Sequence, residues 1–473
     1  MKKKFFHLHK RLAPWIAIPV ILWAVTGVLH PIMANWLRPS IANFFLVPKP
    51  VPSDPAILSP AEALSEKLEN VHQLNLISID NTPVYRGALA NGSLVFYDAQ
   101  TGEPLANAAE KYAEQLARAY LDDPDSPLIS ISEITEFGAN YSYINRLLPV
   151  QRVKLDRADG MEVVVDLRTG KLATFDSPFK RLFAKLFSWG HTWSFLGNRD
   201  SMLRISVVLI MSLLSLTMAI TGIVNLVTFR VKRKGGKKRT LKPSRKFHRI
   251  LGAGSALFFL MFSISGIYHV AAKYDYDDSS QWISEHSVPL DQLVHSPREI
   301  LSEVKQPVHA ISLAMIGDQA HYRLALMDRK NRGANIYLSA KNLSPLENGE
   351  TIFATQLACE FSGYSPEHVS KVEPITSFQR DYGFIFKRLP VVRVRFDQQA
   401  YWHYTVDTIN AHMAMRTKPS DLVETISFIN LHKFHFLDPI SKELRDYVTA
   451  IAAASIALVS ILGLILLRKR RKS

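Results

Sequence analysis

The sequence predicts a membrane α-helical protein, with four transmembrane helices in two tandem parallel-topology repeats, each repeat carrying an extramembrane α+β domain. Three observations predict it. Four stretches are almost purely apolar in a chain whose mean hydropathy is only +0.02. The excess of basic residues sits beside those stretches, and the two halves match one another at an offset near 240 residues.

The apolar stretches are residues 12–36, 202–229, 250–272 and 448–467. Each supplies the ~20 residues that a bilayer crossing requires. Unpaired backbone is intolerable in lipid, so each is expected to be helical. Pro14, Pro19 and Pro31 predict an irregular first helix. That helix follows Lys2, Lys3 and Lys4 as a secretory signal would, but its apolar run is long and no small-x-small site follows, so it is expected to be retained.

Of 57 Lys and Arg, 21 fall in residues 1–11, 230–249 and 468–472, which contain no acid; the other 36 face 42 Asp and Glu. Short basic flanks beside apolar spans are the positive-inside pattern. Both termini and the central loop are therefore expected in the cytoplasm, and residues 37–200 and 273–445 on the far side, the periplasm of a bacterial inner membrane. A nucleic-acid surface would spread its charge over a folded face, so the formal charge of +15 does not point to that partner. The single cysteine, Cys359, excludes an internal disulfide, and without C-x-x-C-H there is no covalent haem attachment. Cys359 reads as a small core residue of a helix over 351–361.

The repeat is carried by residue pairs. His9-Lys-Arg-Leu12 corresponds to His248-Arg-Ile-Leu251, and 21 residues later come His30 and His269, each three positions after a glycine, Gly27 or Gly266. His191 corresponds to His432, Phe195-Leu196 to Phe436-Leu437, Arg204 to Arg445, Gly222 to Gly463 and Leu148-Pro149 to Leu389-Pro390. Histidine fills only 16 of 473 positions, so the second histidine match is not expected by chance. Parallel repeats imply a pseudo-twofold axis along the membrane normal. The resulting plan is a first helix over 1–36, a domain over 37–187, a histidine segment and second helix over 188–230, a basic loop over 231–247, a third helix over 248–272, a domain over 273–428, and a fourth helix with basic tail over 429–473.

Within the first domain, a helix over 60–70 capped by Ser59 is expected, then strands over 74–80, 84–90 and 94–99 closed by the Thr101-Gly102 turn. A helix over 108–121 and strands over 150–156 and 161–167 follow, before the turn Arg168-Thr169-Gly170. The second domain reads as a helix over 296–304 and strands over 321–327, 336–340, 391–397 and 401–407.

The segments PVYRGALANGSLVFYDAQTGEPL and PVQRVKLDRADGMEVVVDLRTGKL, with their strand, strand, Asp-x-x-Thr-Gly pattern, resemble PepSY domains. The helices opening at His9 and His248 resemble the PepSY-associated transmembrane helix. The whole chain resembles the PepSY-TM family, the iron-regulated inner-membrane proteins that include siderophore reductases. That resemblance implies b-type haem between the helices and a ferric siderophore as substrate. Asp407-Thr-Ile-Asn-Ala-His412 departs from the pattern by lacking the glycine.

Ionisable residues inside a span are costly and are functional candidates. At 1.5 Å per residue, His9 and His30 lie about 31 Å apart, one at each face of a hydrocarbon core of about 30 Å. Haem iron accepts imidazole at its axial positions. His9 and His248 form the expected pair on the cytoplasmic side. His30, His269, His191 and His432 converge on the other side, where they either bind one haem and leave two histidines near substrate or bind two, with pairing across the axis and pairing within each half both open; the chain as a whole accommodates one or two haems, up to three. Gly27, Gly266, Gly222 and Gly463 read either as room for a flat macrocycle or as close helix packing. Arg204 and Arg445 read as headgroup anchors, and Trp15, Trp36, Trp189 and Trp193 as an interfacial belt. His7 and His435 have no counterparts, and His412, Met413 and Met415 read as packing at a strand end.

The favoured function is transmembrane electron transfer to a ferric siderophore or other ferric chelate. With no G-x-G-x-x-G after a strand, nicotinamide or flavin binding is not indicated, so electrons are expected from a separate cytoplasmic reductase or from quinol. A periplasmic protein-binding regulator is the alternative, but it leaves the paired histidines without an account. A transporter is disfavoured because the spans lack buried acids and broken helices. Catalytic residues are not identified by the sequence.

Overall fold

The computed structural model describes residues 2–138, 140–228, 233–234, 237–238, 242–275, 279–327, 333–379, 381–397 and 399–471. Residues 231–232, 235–236 (Gly235-Gly236) and 239–241 of the basic loop, and Lys472, lie outside them. Ten helices occur among the described residues: α1 (Lys2–Asn35), α2 (Pro60–Leu64), α3 (Ala108–Leu121), α4 (Pro178–Gly190), α5 (Met202–Thr228), α6 (Pro243–Ala271), α7 (Pro297–Ser302), α8 (Gly349–Ser362), α9 (Pro419–Ser427) and α10 (Lys442–Arg471). They fall in two compact units, one holding 1–39, 178–276 and 420–473, the other 40–177 and 277–419.

In the helical unit, α1, α5, α6 and α10 are the four helices long and apolar enough to cross a membrane. Helix α1 runs unbroken through Pro14, Pro19 and Pro31. It packs on α5 and α10, and α6 packs on the same two, so α1 and α6 stand diagonally opposite. Ile16, Val20, Ala24, Ile456 and Ala457 fill the centre, with Trp23, Met218, Phe258 and Phe262 packed around them. Residues 178–187, read from the sequence as part of the soluble domain, instead belong here as most of α4. Its Phe179, Leu182, Leu186 and Trp189 are exposed along one apolar face, as on a helix lying in a membrane interface.

The second unit repeats one element order. A three-stranded antiparallel sheet (Gln73–Ile79, Thr82–Ala88, Leu94–Asp98) leads through α3 to a four-stranded one (Leu128–Ile134, Val150–Leu155, Glu162–Asp166, Lys171–Asp176). The later half does the same with Val308–Ile316, Gln319–Leu326 and Asn335–Ser339, then α8, then Val369–Ile375, Val391–Phe396, His403–Asp407 and His412–Thr417. Both short helices α2 and α7 open on capping boxes, Ser59 with Glu62 and Ser296 with Glu299. The Leu148-Pro149 and Leu389-Pro390 bonds are both cis.

Two expectations are corrected here. The halves do not form separate domains: Leu74, Leu76 and Tyr85 share one buried core with Ile311, Leu313, Tyr322 and Leu324. Each three-stranded sheet covers the apolar face of the other. The helix expected over 60–70 stops at Leu64, because Asn70 and Val71 pair as a strand with Pro289 and Val288. The missing glycine does not alter its turn. Asp407 Oδ1 accepts from the Ile409 and Asn410 N–H groups as Asp166 Oδ1 does from Arg168, and Ala411 takes the left-handed conformation (φ 48°) that Gly170 takes in the first half (φ 66°). Cys359 is a partly buried residue of α8 packed against the core, as expected.

Candidate histidine site

Six matched histidines sit at the two ends of the helical bundle. At the end holding both chain termini, His9 of α1 places Nδ1 3.1 Å from the Thr221 hydroxyl of α5. His248 of α6 places Nδ1 3.0 Å from the Val459 carbonyl of α10. Each imidazole lies against a glycine: a Cβ at Gly222 would stand 3.3 Å from His9 Cε1, and one at Gly463 3.5 Å from His248 Cε1. The space these glycines open is therefore taken by the histidine rings. His9 and His248 lie within electrostatic range of one another across the bundle.

At the other end the cluster is larger. Helix α4 delivers Phe187 and the turn after it His191, while the single π-helical turn that follows α9, Phe428–His432, delivers both Phe428 and His432. The His191 and His432 ring centroids are 6.3 Å apart with planes at 87°. His191 Nδ1 lies 2.9 Å from the Thr26 hydroxyl of α1, and His432 Nδ1 lies 3.1 Å from the Ser265 hydroxyl of α6. Phe187 stacks on His191 at 4.5 Å and meets His30 at 5.8 Å. Phe428 stacks on both His432 (4.8 Å) and His269 (4.3 Å), so a phenyl ring stands against the two histidines of that half.

The hydroxyl partners decide the tautomers. Thr26 Oγ1 gives its one proton to the Leu22 carbonyl (2.7 Å), Ser265 Oγ to Met261 (2.8 Å), and Thr221 Oγ1 to Met218 (3.0 Å). Each oxygen is left to accept from an imidazole Nδ1–H. The Val459 carbonyl facing His248 and the Glu424 carboxylate 2.5 Å from His269 Nδ1 can only accept. Five of the six histidines are thus held with the proton on Nδ1 and a lone pair on Nε2, the arrangement that second-shell partners impose on metal-ligating imidazole.

The halves are not identical. The position in α4 equivalent to Glu424 is Phe183, which stacks on Phe187 at 5.9 Å, so His30 has no matching carboxylate.

Several expectations change at this end. Trp193 does not belong to a surface belt; it is buried and stacks on Trp23 at 5.3 Å, as Phe434 packs against Phe262 at 5.4 Å. Trp15, Trp36 and Trp189 are exposed. Arg204 does not reach outward as an anchor; it donates to the Thr192 and Gly197 carbonyls (2.7 and 3.2 Å) and closes the loop after His191. Arg445 pairs with Asp438 and Asp446 (2.7 and 3.0 Å) beside the unmatched His435. Gly27 serves helix packing, with a Cβ there 3.6 Å from Ala453, whereas Gly266 faces open space. His412 and Met413 are buried at the start of their strand.

The partners Thr26, Thr221, Ser265, Phe187, Phe428 and Glu424 were not singled out by the sequence reading. One signal was available: Thr26 and Ser265 are separated by the same 239 residues as His9 and His248, and Phe187 and Phe428 by the same 241 as His191 and His432.

A family model described as the PepSY-associated TM region matches residues 87–470. His191, His248, His269 and His432 fall inside the match, and α1 with His9 and His30 precedes it. No curated protein matches the chain.

Proposed function

Because this chain belongs to the PepSY-associated TM family, we propose that it is a haem-bearing membrane protein that passes electrons across the bilayer and reduces a ferric siderophore or another ferric chelate. The observation that carries this reading is the common tautomer, with five matched imidazoles presenting Nε2 and Nδ1 held by acceptors. Among the described residues no group of three or more His, Cys, Asp and Glu converges on a metal-sized point. Pairs of histidines suit an iron that arrives with its equatorial ligands already in place.

The residues fit that group. His191 and His432, whose ring centroids stand 6.3 Å apart across the bundle, would hold it between them. Pairing across the axis is favoured, because Phe428 already stacks on both histidines of its own half. His9 and His248 would hold a second group at the other end. When bound, haem supplies one-electron chemistry at an iron whose potential is set by its axial imidazoles and their surroundings. Thr26, Ser265, Thr221 and the Val459 carbonyl orient the ligands. The apolar packing of Ile16, Val20, Ala24 and Ile456 keeps water from the centre.

The reading includes an orientation. Both termini and the basic loop would face the cytoplasm of a bacterial inner membrane, the second unit would be periplasmic, and the two halves would be copies of one ancestral unit about an axis along the membrane normal. Electrons would enter from a cytoplasmic reductase or from quinol. Reduction loosens iron from hard-oxygen chelators, which favour Fe(III).

The test is the absorbance spectrum of detergent-purified protein before and after dithionite, from cells supplied with haem. A Soret band that sharpens and shifts on reduction is expected, and His9→Ala and His248→Ala should remove the same component of it. A colourless preparation ends the proposal.

A further inference from the structure

The second unit holds a buried arginine, Arg86, that makes no ion pair. Arg86 and Arg323 occupy the same place in the two three-stranded sheets: Arg86 pairs with Asn75 and Phe96 across its neighbours, Arg323 with Ser312 and Tyr337. Arg323 is neutralised by Glu350 of α8, Nε to Oε2 at 3.0 Å. The equivalent residue of α3 is Ala109. Arg86, 6 % exposed, has only neutral partners: the Leu167 carbonyl (2.7 Å), Asn75 Oδ1 (2.8 Å) and the Tyr112 ring, 5.9 Å away. A buried charge without a partner is costly, and proteins rarely retain one unless something pairs with it.

Beside it is a shallow pocket lined by Gln73, Asn75, Arg86, Leu94, Arg168 and Asn410 among others. Arg168 is a second cation with no equivalent, since the other half has Ile409 there. It gives one N–H to the Gly92 carbonyl (2.7 Å), while its buried Nε has no partner. Among the described residues no carboxylate makes an ion pair with Arg86 or Arg168, and the buried Asp166 carboxylate acts on Arg168 only at longer range. Gln73, 5 % exposed, keeps its Oε1 buried and unpartnered in the same pocket. Two guanidinium groups call for an anion, and the orphan amide oxygen calls for a donor next to it.

We infer that this pocket binds a small hydroxycarboxylate, its carboxylate on the Arg86–Arg168 side and its hydroxyl donating to Gln73 Oε1. The ligand is either a free acid or the exposed arm of a ferric hydroxycarboxylate chelate, since both present the same groups. The inference does not involve haem, and its test reads binding directly, so it stands or falls apart from the histidine site.

Titration calorimetry of the full-length protein in detergent, with citrate, with tricarballylate (citrate without its hydroxyl) and with ferric citrate, decides it. Citrate should bind one per chain and tricarballylate at least ~10-fold more weakly, as loss of one hydrogen bond to a buried group predicts. Arg168→Gln should weaken citrate by at least ~10-fold. Gln73→Leu should erase the difference between the two acids and, having removed an unpaired polar atom, leave the melting temperature of the unliganded protein equal or higher. Equal binding of citrate with and without iron identifies the free acid as ligand; binding only of the iron complex identifies the chelate. No heat with any of the three, or citrate affinity unchanged in both variants, overturns the site. An unchanged preference for citrate in Gln73→Leu overturns the role given to the hydroxyl.

Discussion

At the scale of single residues, the histidines matter less for where they are than for which nitrogen they present. A threonine or serine hydroxyl has one proton, and here it is spent on the helix's own backbone one turn back. The oxygen then accepts from Nδ1. Thr26→Val and Ser265→Ala remove that acceptor without adding bulk. Under the proposed haem binding, each should lower haem affinity by roughly tenfold, within the range for outer-shell partners, while far-ultraviolet circular dichroism stays that of a helical bundle; a Soret titration matching the parent protein in both variants would refute the role. Asp123, at the end of α3, makes a prediction of another kind. The Ser126 backbone N–H (3.0 Å), the Ser126 hydroxyl (2.8 Å) and Arg157 hold its carboxyl down from an ordinary 3.8 to about 2. A depressed carboxyl stabilises the fold above its unfolded-state value, and that contribution is lost as pH falls through the folded one. Asp123→Asn should therefore melt earlier than the parent at pH 7, with the gap closing between pH 4 and pH 2.

At the scale of elements, α4 and α9 are what bring the second pair of histidines inward. The sequence places both at the edge of a soluble domain, since the local composition of α4 (Phe-Lys-Arg-Leu-Phe-Ala-Lys-Leu-Phe) does not say which face meets lipid. Phe428 stacks nearly parallel on two imidazoles (24° and 16°), whereas Phe187 is parallel to one (15°) and tilted to the other (52°). An aromatic pair contributes about 1 kcal/mol beyond its buried area. Phe187 has a second stacked partner in Phe183 (29°), so Phe428→Leu and Phe187→Leu should each destabilise the helical unit, by about 2 kcal/mol for two lost stacks, in thermal melts followed at 222 nm. Unchanged melting of both variants would show that the stacking is incidental.

At the scale of the molecule, the second unit is one core built from two sequence halves. Leu313 is 2 % exposed, and packs in the cluster that also holds Leu74 and Tyr85. Leu313→Ala should cost about 2–5 kcal/mol, as large-to-small changes in a packed core do, and should destabilise both halves together. A fragment of residues 40–177 exposes the sheet face that the other half covers, so it is expected to be poorly dispersed in amide NMR spectra; a well-dispersed spectrum from that fragment would show that the halves fold independently. In the helical unit, the same doubling leaves α1 opposite α6 and α5 opposite α10, which is why residues 239 or 241 apart take equivalent partners.

The sequence by itself marked four helices long and apolar enough to cross a membrane, the matched offsets between its two halves, and the six paired histidine positions. Those follow from hydropathy, from residue type and from spacing, all of which are local or one-dimensional. The helix Ala108–Leu121 was legible to its ends, because its amphipathic period runs without interruption. The outer strands Leu128–Ile134 and Val369–Ile375 were not, being largely exposed and so without an apolar signature. Only the tertiary structure decided which acceptor holds each imidazole, that Phe428 stands against His269 and His432, and that Arg323 is neutralised while Arg86 is not. Those are contacts between segments tens to hundreds of residues apart, and a linear pattern carries no information on which of several suitable side chains the folded chain will bring within 3 Å.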